Sequence, residues 1–89
     1  MDDKQIEQTL IQIKKHSGLH EVLKVTTFTG LTEKGTRVRI KIFDMGPSAG
    51  DNRYKVKAST FGTLKQTAAS DPAASIDLAL SKVHWDNLS

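Results

Sequence analysis

Two short stretches of the sequence alternate positively charged and apolar residues, and they carry the clearest chemical signal in the chain. In RVRIK, residues 37–41, and RYKVK, residues 53–57, every second residue is Lys or Arg. A period of two is typical of a β-strand with one buried face and one exposed face. If the two strands are neighbours in a sheet, their cations form one face, composed of Arg37, Arg39, Lys41, Arg53, Lys55 and Lys57.

The chemistry that such a face favours is the binding of a polyanion. Like charges on adjacent strands repel each other, and an anion lying along the face would relieve that repulsion. A nucleic acid backbone is the natural candidate, because neutralising its phosphates releases counterions. We therefore predict a non-enzymatic binding module for nucleic acid or another polyanion, with weak, salt-dependent binding and little sequence preference. The alternative is that the cations only solvate the face and guard it against aggregation.

Charge is unevenly distributed along the chain. Residues 34–65 hold eight Lys or Arg against two acidic residues, a net charge of +6, and the rest of the chain holds five against eight, a net charge of −3. A basic middle between acidic ends agrees with a localised anion site. Aromatic residues that could stack on bases are few, and we expect at most Phe43 and Phe28 on the cationic face. Charge and shape should therefore govern binding.

Capping residues predict a helix near each end of the chain. The first helix begins at Asp2 and Asp3, whose carboxylates suit a helix N-terminus, and it stops at Ser17-Gly18. The last helix follows SDPAAS, with Asp71 as its cap before Pro at the first helical position, or with Ser75 as a later cap.

The segment between the helices predicts strands. They lie at residues 20–30, 36–44 and 53–60, with a weaker fourth at 63–69. Either face of the first strand could be the buried one. The glycines and proline of MGPSAGDN, residues 45–52, predict a mobile loop without regular structure, which would adjust around a ligand.

The element order α-β-β-β-(β)-α predicts the fold class. An antiparallel sheet with one apolar face buries that face when two amphipathic helices cover it. We therefore expect an α+β two-layer sandwich in which residues 1–89 form a single domain. The cationic face would then remain in water.

The C-terminal stretch ALSKVHWDNL contains the single tryptophan of the chain. At 100° per residue, Leu78 and Trp85 lie on the side of the helix opposite Ile76, and Leu88 falls between the two apolar stripes. One interpretation is a protein-interaction or homodimer surface anchored by Leu78, Trp85 and Leu88. The other is that the chain folds back, so that Trp85 covers the edge of the core or contacts the first helix near Ile11.

Side chains suited to metal binding or catalysis are not grouped in the sequence. His16 and His20 are four residues apart, but Ser17-Gly18 breaks the helix between them, so they would not share a face. With no cysteine there is neither a zinc–thiolate site nor a thiol nucleophile. No serine, threonine or carboxylate pair has an activating context. We predict no enzyme activity, no metal and no cofactor.

Hydropathy and the N-terminus predict the compartment. No apolar run approaches the length of a membrane span, and MDDKQIEQ is acidic and polar where a signal peptide would be basic and then apolar. The lack of cysteine suits a reducing compartment. We therefore predict a cytoplasmic protein without a membrane partner.

Two families resemble parts of this chain. The α-β-β-β-α order resembles that of double-stranded RNA-binding domains, but their lysine-rich start of the second helix corresponds here to SDPAASIDLAL, which has no cation before Lys82. Only the topology is carried over, and none of their binding residues. The ending ALSKVHWDNL resembles that of small uncharacterised bacterial proteins, of cyanobacterial type, that finish with ALxxVHWxxL. That resemblance implies a small α+β domain and no activity.

Overall fold

A computed structural model describes residues 2–61 and 66–88 of the chain. Its helices and strands, numbered in chain order, are α1 Asp3–Ser17, β1 Lys24–Leu31, β2 Arg37–Asp44, β3 Tyr54–Thr60, β4 Thr67–Ala69 and α2 Ile76–Ser81. Two 3₁₀ helices lie at Pro47–Asn52, between β2 and β3, and at Trp85–Leu88, after α2.

Both ends of α1 form as the capping residues predict. The Asp2 carboxylate accepts a hydrogen bond from the Gln5 backbone N–H at 2.8 Å, and the Gln5 side chain accepts one from the Asp2 N–H at 3.1 Å. This reciprocal capping box satisfies two N–H groups that the helix itself leaves unpaired. At the other end Gly18 has φ 69° and its N–H bonds back to the Lys14 carbonyl, a left-handed cap that suits glycine.

The four strands form one antiparallel sheet in the order β1-β2-β3-β4. Together with the two helices, this confirms the predicted α+β fold class. The strands are shorter than predicted. The first begins at Lys24 and the third at Tyr54, and the weak fourth is described only as β4, because its predicted residues 63–65 lie outside the described residues.

The core lies between the sheet and the C-terminal part of the chain. Here β2 and β3 contribute Val38, Val56 and Ala58, and α2 and the residues after it contribute Ala79, Val83 and Leu88. The main contact of α2 is with β3, and the 3₁₀ helix Trp85–Leu88 contacts β4. We call this side of the sheet the helix side.

The segment between β2 and β3 differs from the predicted irregular loop. Its residues Pro47–Asn52 form 3₁₀ turns with a kink at Gly50, which has φ 58° and ψ −122°. The main contact of α1 is with these turns. A Cβ built on buried Gly46 would lie 3.0 Å from Leu10 Cδ1, so glycine allows the close approach of α1. The residues thought to adjust around a ligand instead support a helix.

Candidate anion-binding face

The strand register brings most of the predicted cations together. Lys41 lies directly opposite Lys57, Arg39 lies opposite Ser59, and Phe43 lies opposite Lys55. Residues paired in this way lie on the same side of the sheet, which is the side facing away from the core. We call this side the cationic face, and it carries Arg37, Arg39, Lys41, Lys55 and Lys57. None of the described strand residues on this face is acidic.

Arg53 does not belong to this face, which corrects the sequence prediction. It is 8% exposed and precedes β3 with helical backbone angles, φ −66° and ψ −45°. Because it is not in a strand, the alternation that predicted its direction does not apply. Its side chain instead meets the carboxylates of Asp44 and Asp3 on the helix side, and its guanidinium carbon lies 4.7 Å from the centroid of the Tyr54 ring.

The Arg53 guanidinium is shared by two carboxylates. Its Nε and Nη2 donate to Asp44 at 2.8 and 3.1 Å, and its Nη1 and Nη2 donate to Asp3 at 3.0 and 2.9 Å. These hydrogen bonds, first with Asp44 and then with Asp3, raise the pKa of Arg53 above its usual value. Arg53 therefore ties the start of α1 to the sheet and is not free to bind a ligand.

Arg53 lowers the pKa values of both carboxylates, although Asp44 is buried and Asp3 is exposed. Burial by itself would raise the pKa of Asp44, but the hydrogen bonds from Arg53 and from the Gly46 N–H outweigh it and hold that pKa below its usual value. The pKa of Asp3 is also lowered, chiefly by its hydrogen bond from Arg53. Both groups are therefore held as anions that neutralise Arg53.

Phe61 is a member of the cationic face that the sequence prediction missed. It follows β3 in the same alternation as Lys57 and Ser59, and its N–H donates to the Arg37 carbonyl at 3.2 Å. The guanidinium carbons of Arg39 and Arg37 lie 4.7 and 5.9 Å from the centroid of its ring. This geometry is typical of a cation–π contact. Continuing the period-two pattern beyond Ser59 would have identified it.

Phe28, in contrast, was predicted as an aromatic of this face and lies on the other one. It pairs with Ile40 in the register, and Ile40 packs against the core on the helix side. The sequence left the buried side of the first strand open, and pairing with β2 decides it. On β1 the cationic face instead presents Thr27 and Thr29, which lie opposite Lys41 and Arg39.

A shallow cavity of about 250 Å³ marks the centre of the cationic face. Its lining combines cations, hydroxyl groups and one aromatic ring, and consists of Arg39, Lys41, Phe43, Lys57, Ser59 and Thr67. Lys, Arg, Ser and Thr side chains are the groups that contact phosphate oxygens in nucleic acid complexes. The cavity therefore combines positive charge with hydroxyl groups.

The three predicted partner anchors do not form one surface. Leu88 is 2% exposed and belongs to the core, whereas Leu78 is 46% exposed. The prediction assumed one continuous helix, but α2 ends at Ser81 and the N–H of Lys82 bonds to the Ala79 carbonyl with 3₁₀ spacing. The chain leaves the helix at residues 82–84 before the 3₁₀ turn Trp85–Leu88 begins, and this break separates Leu78 from Trp85.

Trp85 is partly exposed and lies at the edge of the core. Its Nε1 donates to the Leu80 carbonyl at 3.1 Å, so the polar end of the ring is satisfied within the chain. The ring lines a cavity of about 200 Å³ near the free edge of the sheet, together with Gly30, Leu31, Thr32, Val38, Ile40 and Leu88. Ile11, the predicted contact on the first helix, is exposed and does not line this cavity.

Within residues 2–61 and 66–88 there is no group of three or more His, Asp or Glu side chains arranged to hold a metal ion. In the same part of the chain, no helix is long and apolar enough to cross a membrane.

The chain matches no protein-family model, no characterised protein and no solved structure. The resemblances noted from the sequence therefore stay predictions.

Proposed function

We propose that this chain is a non-enzymatic binding module whose cationic face binds the phosphate backbone of a nucleic acid. The observation that carries the proposal is the direct opposition of Lys41 and Lys57 on a face whose described strand residues include no acid. Like charges placed opposite each other destabilise a sheet, and a bound polyanion removes that cost. The absence of cysteine suits the reducing cytoplasm, where we place the protein.

The aromatic residues of the face favour a single strand over a duplex. Phe43 and Phe61 lie towards opposite ends of the face, about 20 Å apart along the strands at ~3.3 Å per residue. Unpaired bases can stack on such rings while cations between them contact the backbone. Stacking is tolerant of base identity, so this arrangement supports affinity without sequence readout.

The test is a titration of single-stranded DNA and RNA of about 12 nucleotides, a length within the span that small binding domains cover, followed by fluorescence anisotropy. With five cations on phosphates, log Kd should rise with log salt concentration with a slope of about 3.5. Amide NMR shifts should concentrate on β2 and β3. An affinity that is the same at low and physiological salt contradicts the proposal.

A matched pair of charge-reversal variants distinguishes binding by the cationic face from general attraction by the net charge of the chain. The double variant Lys41→Glu/Lys57→Glu should weaken binding by roughly tenfold or more, because it places two anions at the centre of the face. Lys14→Glu/Lys15→Glu changes the net charge equally on exposed residues of α1 and should have an effect of about twofold or less. Equal losses in the two variants would show that only net charge attracts the nucleic acid.

A further inference from the structure

The free edge of β1 is unusually open. β1 is an outer strand of the sheet and, among the described strands, pairs with β2 alone. It is eight residues long, and its sequence KVTTFTGL has no proline and one charge, Lys24 at its start. Proteins ordinarily protect edge strands with prolines, charges, bulges or short length, and the opposite edge, β4, has three residues. β1 has none of these protections along most of its length.

Both sides of β1 expose apolar side chains. On the cationic face Leu31 is 71% exposed and Val25 is also exposed. On the helix side Phe28 is 52% exposed, because α2 packs mainly on β3 and α1 mainly on the 3₁₀ turns. α1 approaches the start of β1, where it lines a cavity of about 230 Å³ together with Leu23 and Lys24. The part of β1 around Phe28 remains exposed.

The chain exposes more surface than a compact monomer of its mass. The chain exposes 6285 Å², about 1,100 Å² more than the ~5,200 Å² typical of a folded monomer of this mass. Its radius of gyration is 14.8 Å, compared with about 12 Å for a compact domain of this length. A stable protein–protein interface buries about 800 Å² on each partner. The excess is as large as one side of such an interface, and α1, whose Ile11 and Ile13 are also exposed, contributes part of it.

We propose that two copies of this chain associate through antiparallel pairing of their β1 strands, across a twofold axis at Phe28. In an antiparallel pair, opposite residues share a face, and a twofold axis makes the contact self-complementary. With the axis at Phe28, each Phe28 faces its counterpart on the helix side. On the cationic face, Val25 of one copy lies opposite Leu31 of the other, and Thr27 lies opposite Thr29. This register pairs exposed apolar residues with each other and hydroxyl groups with each other.

The same register fills the cavity beside Trp85. Gly30 of one copy lies opposite Thr26 of the other, so Phe28 of that second copy is its diagonal neighbour. Gly30 has no side chain to occupy the space, and the cavity of about 200 Å³ next to it is lined by Trp85 and Leu88. An aromatic ring reaching across an edge glycine is a known stabilising arrangement in sheets. Trp85 then forms one wall of a pocket for Phe28 of the second copy.

Pairing through β1 also joins the two cationic faces on one side of an eight-stranded sheet. The threonines of both β1 strands would lie at its centre, with the cations of β2 and β3 on either side. The dimer does not depend on anion binding, because its anchor Phe28 lies on the helix side. Each proposal can therefore fail while the other holds.

Sedimentation equilibrium from low micromolar to submillimolar concentration tests the dimer. The unmodified chain should approach twice the monomer mass, and Phe28→Lys should shift the midpoint of association at least tenfold towards higher concentration. Leu78→Lys adds the same charge at an exposed residue of α2 and should leave the midpoint unchanged. Circular dichroism would establish that both variants are folded.

Each opposite result overturns the proposal. A monomer at all concentrations would show that β1 does not pair with a second copy of itself. A dimer weakened by Leu78→Lys and not by Phe28→Lys would place the contact on α2.

Cross-linking tests the register. The chain has no cysteine, so Phe28→Cys creates a single thiol. Directly opposite residues in an antiparallel pair have Cα atoms about 4.5–5.5 Å apart, within the range that a disulfide requires. Under mild oxidation, Phe28→Cys should form a covalent dimer much faster than Leu78→Cys. Equal rates for the two variants would contradict a twofold axis at Phe28.

Discussion

The arginines of the two alternating segments have different roles in this protein. Arg37 and Arg39 project from a strand into solvent, where they lie over the Phe61 ring. Arg53 belongs to the same alternating pattern but is buried between two carboxylates. The Asp44 carboxylate is itself buried, and Arg53 compensates its charge together with the Gly46 N–H and Lys24. The first two arginines are suited to binding, and the third to stability.

Replacement of Arg53 should therefore destabilise the fold more than replacement of an exposed arginine. Arg53→Ala leaves the buried Asp44 carboxylate without its partner, and the free energy of unfolding should fall by about 3 kcal/mol. Arg37→Ala, the matched control, should change it by less than about 0.5 kcal/mol while weakening nucleic acid binding. Urea unfolding followed by circular dichroism measures both. Similar stabilities for the two variants would show that the Arg53 cluster adds nothing to the fold.

At the scale of elements, the end of α2 decides the roles of the C-terminal apolar residues. Ser75 caps the helix by accepting a hydrogen bond from the Leu78 N–H at 3.1 Å, and the helix changes to 3₁₀ geometry after Ser81. The break at residues 82–84 lets Leu88 join the core cluster that also contains Val83. Leu78 remains in solvent.

Two leucine replacements test this division. Leu88→Ala should lower the free energy of unfolding by about 2 to 4 kcal/mol, because it removes a buried side chain and leaves a cavity. Leu78→Ala should lower it by about 0.5 kcal/mol or less, as expected for an exposed position. Chemical denaturation of both variants under the same conditions provides the comparison. Equal losses would mean that the helical phase continues beyond Ser81.

At the scale of the whole molecule, the two proposals combine into a bivalent surface. A dimer through β1 presents two copies of the cationic face on one side, so a long strand can bind both at once. The second contact is then intramolecular and raises the affinity without new interactions.

Strand length should therefore affect the dimer and the monomer differently. Going from about 10 to about 30 nucleotides, the unmodified chain should gain about a hundredfold in affinity, whereas Phe28→Lys should gain only the few-fold expected from more binding positions. Anisotropy titrations at a protein concentration where the unmodified chain is dimeric measure this difference. An equal gain for both would show that the two faces act separately.

Much of the fold could be predicted from local sequence signals. The capping residues Asp2 and Gly18 set the ends of α1, and the alternation in RVRIK and KVK predicted β2 and β3 with their exposed cations. These signals are readable because capping and strand alternation depend on residues close together in the chain. The first strand was less certain, because apolar residues occur on both of its faces, Val25 on one and Phe28 on the other.

The sequence by itself determined the first helix, the start of the last one, the strand segments and most of the cations on the outer face. Only the tertiary structure decided that Lys41 faces Lys57, that Phe61 lies under two arginines and that Arg53 is turned to the helix side. It also decided that Leu88 is buried and that β1 has a free edge. These features depend on register, on the point where a strand or helix stops, and on charges from distant segments. Asp3, Asp44 and Arg53 meet only when α1 and the sheet are assembled, and no local pattern encodes that meeting.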